Sequence, residues 1–428
     1  MKINFSLKKV FKYSPDDYQK TIRIWIFLLA FLLLMTGLLI GFNPLKSIRE
    51  YNRLLFMDCS LITDYFAVAG YSAAFINAGI NVLLVLVIGI IAKVRYNGLS
   101  IGATYMVLGY GFFGKNALNI LPVILGVYLY SVVKKEAFRS NYNIALLATA
   151  CGPIVQYLLN HDLFNNQALG LIAGIILATA IGIVIAEVAR FAAKIHGGML
   201  LYNAGFALGI ILMPVTMVMR SIGFEFASAL TWSTDHRLVM GIYLLILFAL
   251  HILAGYLLND GSFKGIDMFL RLKDEENDYL ELTELPVVMI NMGICGIMAV
   301  MYVFIILGDF AGPVLAAIFS IAGFGACGKN YLSICFPIIG IVILSFVSNW
   351  NLTDPGVLLA TLFSTCIAPI TIRAGWIWGI IGGMIHVSIA INIAFASGWL
   401  NLYNNGFTGG LVCLIVIPLL NLFRRRQL

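Results

Sequence analysis

The chain has 428 residues, of which 61% are hydrophobic and 11% are charged, and its net charge is +7. Soluble domains are about 45–50% apolar and about 25% charged, so the composition excludes an ordinary soluble protein and is typical of a polytopic membrane protein. The basic residues lie largely in short loops and at the chain ends, which indicates membrane orientation rather than nucleic-acid binding. Seven scattered cysteines without a C-x-x-C pair indicate buried free thiols, not a disulfide frame or metal site.

Apolar segments long enough for membrane helices follow one another along the chain. Residues 1–23 are polar and amphipathic, which predicts a cytoplasmic N-terminal segment and not a cleavable signal. The segments of a first membrane repeat, 24–220, are 24–42, 75–92, 99–113, 118–132, 143–159, 167–189 and 197–219. Those of a second repeat, 221–428, are 238–258, 290–308, 312–327, 332–348, 356–372, 376–397 and 402–423. The predicted fold is all-α, with 10–14 transmembrane helices.

The two halves share a set of motifs in the same order. The octapeptide GYGFFGKN at 109–116 returns as GFGACGKN at 323–330, 214 residues later. The same spacing separates two D-Y pairs and two I-N-x-G-I motifs, and L-Y-N-x-G-F begins at both Leu201 and Leu402. Several matches in one order, with a slowly drifting offset, indicate an internal duplication.

The loop charges predict that the second repeat is inverted. Seven crossings per half is an odd number, so the second half should have the opposite orientation, with both chain termini cytoplasmic. The predicted cytoplasmic loops carry Lys93, Arg95, Lys134, Lys135, Arg139, Arg190, Lys194, Lys264, Arg271, Lys273 and Arg373. The outer loops 160–166, 349–355 and 398–401 carry no Lys or Arg, whereas 43–53 and 220–237 break the rule. Inverted repeats are typical of secondary transporters, with a site near the membrane midplane.

The repeated octapeptide places a lysine deep in apolar sequence in each half, where a charge is costly and usually functional. The segments on either side have about 15–17 residues, which fits a hairpin of two spans, a re-entrant hairpin, or one helix broken by the glycines. Glycine permits irregular backbone, and its freed N–H groups beside a lysine favour an anion. The candidate substrate-binding residues are Gly111, Gly114, Lys115, Asn116, Gly325, Gly328, Lys329 and Asn330.

Two other interpretations of this motif compete with a solute site. A phosphate loop is rejected because Asn116 and Asn330 stand where a magnesium-binding hydroxyl is required, and because no strand precedes the motif. The second alternative is structural: the glycines allow close helix packing and the lysines extend to an interface. Retention of both lysines while the residues between the glycines changed favours the solute site.

Further polar residues in the apolar segments have both functional and structural interpretations. Asn203 and Asn404, in the repeated L-Y-N motif, are candidate substrate-binding residues, and an interhelical hydrogen bond is an equal alternative. Asn77 and Asn291, at the predicted start of a span, are interpreted as helix caps. Asp64 has apolar neighbours and Asp278 lies in an acidic stretch typical of a solvated loop, which argues against a shared buried role for the pair. His251 and His386 are interpreted as packing or hydrogen-bonding residues, with proton coupling as the alternative.

The paired G-x-G-x-x-G-K-N motifs and the half-length duplication resemble a bacterial family of polytopic membrane proteins with a repeated domain of unknown function. The resemblance implies a bacterial inner-membrane location and brings no substrate. Two inverted halves are also similar, in architecture alone, to urea channels and to anion carriers with paired re-entrant loops.

No catalytic motif or cluster of metal ligands occurs in the sequence, so we expect no enzyme activity, no cofactor and no metal. The expected partners are the lipid bilayer, a small-molecule solute and, in a homo-oligomer, further copies of the chain, but not nucleic acid. The leading hypothesis is a permease for a small solute, for which two lysines favour negative charge. The alternatives are a passive channel for a small neutral solute and a membrane scaffold that does not transport.

Overall fold

The computed structural model describes residues 15–161, 166–271 and 278–423. Within these ranges the chain is helical, and its only β-structure is three isolated bridges. The described residues contain 11 helices that are long and apolar enough to cross a membrane. The prediction of an all-α, polytopic membrane protein is therefore confirmed, and the number of spans lies within the expected range.

The helices follow the same order in both halves of the chain. In the first half they are α1 (Pro15–Gly41), α2 (Pro44–Leu54), α3 (Tyr65–Ala69), α4 (Tyr71–Ile91), α5 (Gly98–Gly109), α6 (Ala117–Lys134), α7 (Phe138–Ala148), α8 (Pro153–Leu159), α9 (Gln167–His196) and α10 (Asn203–Ser221). In the second half they are α11 (Arg237–Leu258), α12 (Met268–Arg271), α13 (Tyr279–Leu282), α14 (Leu285–Ile305), α15 (Gly312–Gly323), α16 (Cys335–Ser345), α17 (Pro355–Phe363), α18 (Ala368–Ala374), α19 (Trp376–Ile393) and α20 (Asn404–Phe423).

Most helix bounds differ by a few residues from the predicted segments, and two differences are larger. Helix α1 begins at Pro15, so the last part of the predicted N-terminal segment forms its first turns, while residues 1–14 lie outside the described ranges. The predicted spans 143–159 and 356–372 are each two α-helices joined by a short 3₁₀ turn. A proline follows that turn in both halves, Pro153 and Pro369, and its missing N–H explains why the α-helical hydrogen bonding is interrupted there.

Equivalent helices make equivalent contacts within each half. Helix α1 packs on α4 as α11 packs on α14, and α6 packs on α9 as α16 packs on α19. Between the halves, α5 packs on α15 and α10 packs on α20. The main apolar core runs continuously through both halves, so the halves form one packed body around the α5–α15 and α10–α20 pairs.

The repeat-related helices α1 and α11 run in opposite directions. The rings of Trp25 and His251 lie 4.7 Å apart, and the hydroxyls of Thr36 and Tyr243 lie 3.3 Å apart. The later residue of α1, Thr36, therefore contacts the earlier residue of α11, Tyr243. Antiparallel packing of two equivalent long helices is the relation that an inverted repeat requires.

Helices α5 and α15 are too short to cross a membrane and also pack antiparallel. Each has 12 residues, about 18 Å in length, whereas the hydrocarbon core is about 30 Å thick. Gly98, at the start of α5, lies against the carbonyl of Ala326, and Gly109, at its end, lies against Ala316. The repeated octapeptides consequently end two short helices inside the protein, not at its surface.

The segment α5–α6 begins and ends on the same side of the fold and has a buried tip. Among the described helices, α5 and α6 do not pack along each other, and Lys115 between them is fully buried. Asn97, just before α5, accepts a hydrogen bond of 3.2 Å from Asn143 of α7. Since α6 ends only a few residues before α7 begins, both ends of the segment lie near the same part of α7.

Candidate functional site

The two octapeptides fold in the same way in the two halves. A 3₁₀ turn follows α5 at 110–112 and α15 at 324–326, and one extended residue comes next. Gly114 then has φ +81° and Gly328 has φ +74°. Only glycine adopts such values without steric cost, which explains the third glycine of the motif. Each turn directs the chain into Lys115 or Lys329.

The second glycine of each motif allows a close approach to a neighbouring helix. A Cβ atom at Gly111 would lie 2.5 Å from the Cα of Ala78 in α4. At Gly325 it would lie 2.9 Å from the Cα of Met292 in α14. Both distances are shorter than van der Waals contact with backbone that cannot rotate away, so the glycine is needed at each position.

Asn77 and Asn291 hold the carbonyl groups that these turns leave unpaired. Asn77 Nδ2 donates to the carbonyls of Gly111 and Lys115, both at 2.7 Å. Asn291 Nδ2 donates to the two equivalent carbonyls of the second half, at 2.7 and 2.9 Å. The predicted capping role is wrong, because both asparagines lie inside α4 and α14. They instead satisfy irregular backbone that has no water to bond.

Asn116 and Asn330 fix the chain just after each lysine. Asn116 is the N-cap of α6 and forms a reciprocal capping box with Asn119. Asn330 Oδ1 accepts from the backbone amides of Leu332 and Ser333, at 3.1 and 2.8 Å. Their side-chain oxygens therefore hold backbone amides, so these two predicted site residues position the lysines.

Each lysine of the motif meets a tyrosine of the opposite half. Lys115 Nζ donates to Tyr403 Oη at 2.5 Å. Lys329 Nζ donates to Tyr202 Oη at 2.6 Å and to Thr365 Oγ1 at 2.9 Å. Both lysines are 0% exposed. The two tyrosines belong to the repeated L-Y-N motifs, so the two duplicated motifs of the chain meet across the repeat.

Aromatic rings join the two lysines into one cluster. The Tyr110 ring lies 4.8 Å from the Tyr403 ring beside Lys115. Phe363, at the end of α17, packs at 5.9 Å from Tyr110 and at 6.3 Å from Tyr202. We call this cluster the paired-lysine site; it consists of Lys115, Lys329, Tyr110, Tyr202, Phe363 and Tyr403.

The charge of the paired-lysine site is not compensated by the described part of the chain. The four ion pairs found there are partly or largely exposed and involve neither Lys115 nor Lys329. Hydroxyl groups and aromatic faces surround the two ammonium groups; Lys329 Nζ, for example, lies 4.6 Å from the centre of the Tyr202 ring. An unpaired buried charge is expensive, whereas a bound anion would offset it.

The two candidate asparagines of the L-Y-N motifs do not contact these lysines. Asn203 Nδ2 donates to the carbonyl of Ala189 in α9 at 2.8 Å. Asn404 Nδ2 donates to the carbonyl of Ala390 in α19 at 3.3 Å. Of the two interpretations, these contacts match the interhelical hydrogen bond. The tyrosine before each asparagine, which sequence reasoning missed, makes the lysine contact.

Asp64 and Asp278 have the shared role that their flanking sequences argued against. Asp64 accepts from the amide of Gly312 at 3.0 Å and from that of Ser233 at 2.8 Å. Asp278 accepts from the amide of Gly98 at 2.9 Å. Each aspartate thus caps the short helix of the opposite half. Burial raises the pKa of Asp64 to about 6 and also raises the pKa of Asp278.

The two mid-span histidines are buried and hydrogen-bonded. His251 lies against the Tyr105 hydroxyl at 2.5 Å and the Leu247 carbonyl at 2.7 Å. His386 Nε2 lies 3.2 Å from the Asn405 carbonyl. Within the described ranges, no group of three or more His, Cys, Asp or Glu residues is arranged to hold a metal ion.

A cavity of about 290 Å³ lies between α17 and α19. We call it the α17–α19 cavity. Loop residues 61–62 and 228–230 contribute to its lining, as do Leu359, Trp399 and the pair Asn404 and Asn405. Phe363 of the paired-lysine site follows Leu359 by one helical turn, about 6 Å along α17. Helix α17 therefore runs from this cavity to the paired-lysine site.

Comparisons with known proteins identify a family but no relative of known function. No curated protein and no solved structure matches the chain. One family model matches residues 43–221 and 258–422, one segment in each half of the chain. These two segments cover most of the sequence and confirm the resemblance to an internally repeated family of unknown function. The chain belongs to the family described as "Protein of unknown function (DUF1576)".

Proposed function

We propose that this protein is a permease that carries a small anionic solute across the bacterial inner membrane, with both chain termini in the cytoplasm. The observation that carries the proposal is the paired-lysine site: two fully buried lysines at equivalent positions, each held by a tyrosine of the opposite half. A site between inverted repeats is where secondary transporters bind their solutes.

The electrostatics of the site favour a negatively charged solute. Two buried ammonium groups without a carboxylate partner are costly in a membrane protein, and such residues usually mark a solute or ion pathway. An anion between the two lysines would offset the charge of both. The tyrosine hydroxyls could then turn from the lysines to donate to the solute, because a hydroxyl is both donor and acceptor.

The fold supports a route to the site. The α17–α19 cavity opens beside residues 61–62 and 228–230, which the predicted order of spans puts on the outer side, and α17 leads from it to Phe363. Segment α5–α6 is proposed to be re-entrant: its two ends lie near α7, and its tip is buried. Irregular backbone at membrane depth is tolerated where it is buried or lines a cavity.

Flux measurements with lysine variants test the proposal. The purified chain is reconstituted in vesicles, and uptake of chloride, bromide, nitrate, acetate and glycolate is measured. Lys115→Met and Lys329→Met keep an unbranched side chain that is one heavy atom shorter, and they remove its charge. We expect the native chain to carry at least one of these anions. In each variant this flux should be about 10- to 100-fold lower, because that factor corresponds to the loss of one hydrogen bond to a charged group.

The exposed Lys135 provides the matched control, since Lys135→Met removes a lysine outside the site. Native flux in the Lys115→Met/Lys329→Met double variant, with an unchanged elution profile, would contradict the proposal, as would a native chain that carries none of the five anions. Flux that saturates and responds to an opposing solute gradient indicates a carrier, whereas linear flux indicates a channel.

A further inference from the structure

The α17–α19 cavity has an exposed mouth and a buried polar end. Leu230 at its mouth is 62% exposed, whereas Asn404 at its inner end is 6% exposed. Leu359, Ala390 and Trp399 give the cavity largely apolar walls. Its volume of about 290 Å³ accommodates a solute of a few non-hydrogen atoms.

Two asparagines that line this cavity have a side-chain oxygen without a hydrogen-bond partner among the described residues. Asn404 Nδ2 donates to the Ala390 carbonyl, so the orientation of its amide is fixed and Oδ1 is left as a free acceptor. Asn405 Oδ1 is also buried and unpaired within the described structure. Buried polar atoms are nearly always bonded, so such an exception needs an explanation.

The equivalent position in the first half shows that the fold does not require a free acceptor. Asn203 also donates to a carbonyl, that of Ala189, but its Oδ1 is bonded to His196 Nε2 at 2.9 Å. The residue equivalent to Asn405 is Ala204, which has no polar side chain. The asparagine oxygen of the duplicated motif is thus bonded to a histidine in the first half, whereas in the second half it is buried beside a cavity without a partner among the described residues.

We infer that the inner end of the α17–α19 cavity is a solute-binding site, in which the side-chain oxygens of Asn404 and Asn405 accept hydrogen bonds from N–H or O–H groups of a small solute. The inference rests on the proposed function and narrows its substrate class: the carried anion also bears a hydrogen-bond donor, as a hydroxy acid does. The apolar walls contact the carbon part of the solute.

Protection of a cysteine in the cavity tests the inference. In full-length protein in vesicles, Ala390→Cys places a thiol in the cavity and leaves both asparagines intact. Ala189→Cys, at the equivalent position of the first half, is the matched control, and the native cysteines are buried apart from the partly buried Cys335. We expect a membrane-impermeant methanethiosulfonate, added on both sides, to modify Ala390→Cys much faster than Ala189→Cys.

Glycolate and acetate form the matched pair of probes, because they differ by one hydroxyl donor. Glycolate should slow the modification of Ala390→Cys at a concentration about five- to tenfold lower than acetate requires, the value of one hydrogen bond. Asn404→Leu, added to Ala390→Cys, should abolish this preference. Equal protection by the two anions, no protection by glycolate, or equal reactivity of the two cysteines would overturn the inference.

The same labelling distinguishes the inference from the proposed function. Lys115→Met and Lys329→Met lie outside the cavity and should lose flux while glycolate still protects Ala390→Cys. If glycolate protects and the lysine variants transport normally, the cavity site stands and the paired-lysine proposal fails. If the lysine variants lose flux and glycolate protects no better than acetate, the paired-lysine proposal stands and the cavity site fails.

Discussion

Removal of the Tyr403 hydroxyl should destabilise the protein more than removal of the Tyr202 hydroxyl, although the two tyrosines occupy equivalent positions. Tyr403 Oη is the one hydrogen-bond partner that the described residues provide for Lys115 Nζ. Lys329 Nζ keeps Thr365 Oγ1, at 2.9 Å, when the Tyr202 hydroxyl is lost. Tyr→Phe changes only this hydroxyl, so the two halves provide a matched pair of substitutions.

The magnitude follows from the hydrogen bond that each lysine loses. A hydrogen bond to a charged group contributes about 1.5–3 kcal/mol to stability. The loss is greatest where the buried partner is left without any hydrogen bond. We therefore expect Tyr403→Phe to lower the free energy of unfolding by about 2–3 kcal/mol and Tyr202→Phe by about 1 kcal/mol less. Equilibrium unfolding in mixed micelles, by titration with dodecyl sulfate, measures both differences.

A double-mutant cycle assigns the effect to the contact itself. Lys115→Met combined with Tyr403→Phe should show a coupling energy of about 1.5 kcal/mol or more, and Lys115→Met combined with Tyr202→Phe should show almost none. Equal destabilisation by the two Tyr→Phe variants, or coupling of Lys115 to both tyrosines, would refute the reasoning.

Three further predictions concern the backbone around the site. Gly111→Ala should destabilise more than Gly325→Ala, since its Cβ comes closer to helix backbone, while Gly356→Ala, with open space around it, should be nearly neutral in thermal unfolding. Asp64→Asn should lower stability by about 1–3 kcal/mol in the same assay, because the single oxygen of the asparagine side chain cannot accept from every backbone N–H that the carboxylate binds. Asp235→Asn, at an exposed position, should lower stability little, and equal effects of the two substitutions would argue against the capping of α15 by Asp64. Burial raises the pKa of Asp64 from 3.8 to about 6, so its protonation stabilises the folded state fully below about pH 4, and this contribution is lost as the pH rises through 6. When the pH is lowered from 7 to 5, the melting temperature of the native chain should therefore rise relative to that of Asp64→Asn. Parallel pH profiles of the two melting temperatures would exclude this titration.

The helices and the duplicated motifs could be predicted from the sequence because both are local signals. Fourteen apolar segments correspond to helices or helix pairs, with boundaries that differ by a few residues. Those few residues explain one error. The apolar run suggested that a span begins near Asn77, whereas α4 begins at Tyr71, so a residue interpreted as a cap lies well inside the helix. The same holds for Asn291, because α14 begins at Leu285 and not near residue 290.

The contacts between the halves could not be predicted from local sequence. Asp278 lies in an acidic stretch that resembles a solvated loop, yet it bonds the amide of Gly98, which is 180 residues away. Tyr202 and Tyr403 stand in a repeated motif, but an aromatic residue in an apolar span is common, whereas the adjacent asparagines are polar and therefore give the stronger sequence signal. Only the fold shows that the two duplicated motifs meet each other.

The most direct test of the paired-lysine site is crystallographic. Crystals grown in bromide are measured at the bromine absorption edge, where a bound bromide gives an anomalous difference peak. We predict a peak in hydrogen-bonding contact with Lys115 or Lys329 in the native chain, and its loss in the Lys115→Met/Lys329→Met variant. A native map without a bromide peak at either lysine, with both ammonium groups still closed against Tyr403 and Tyr202, would contradict the account.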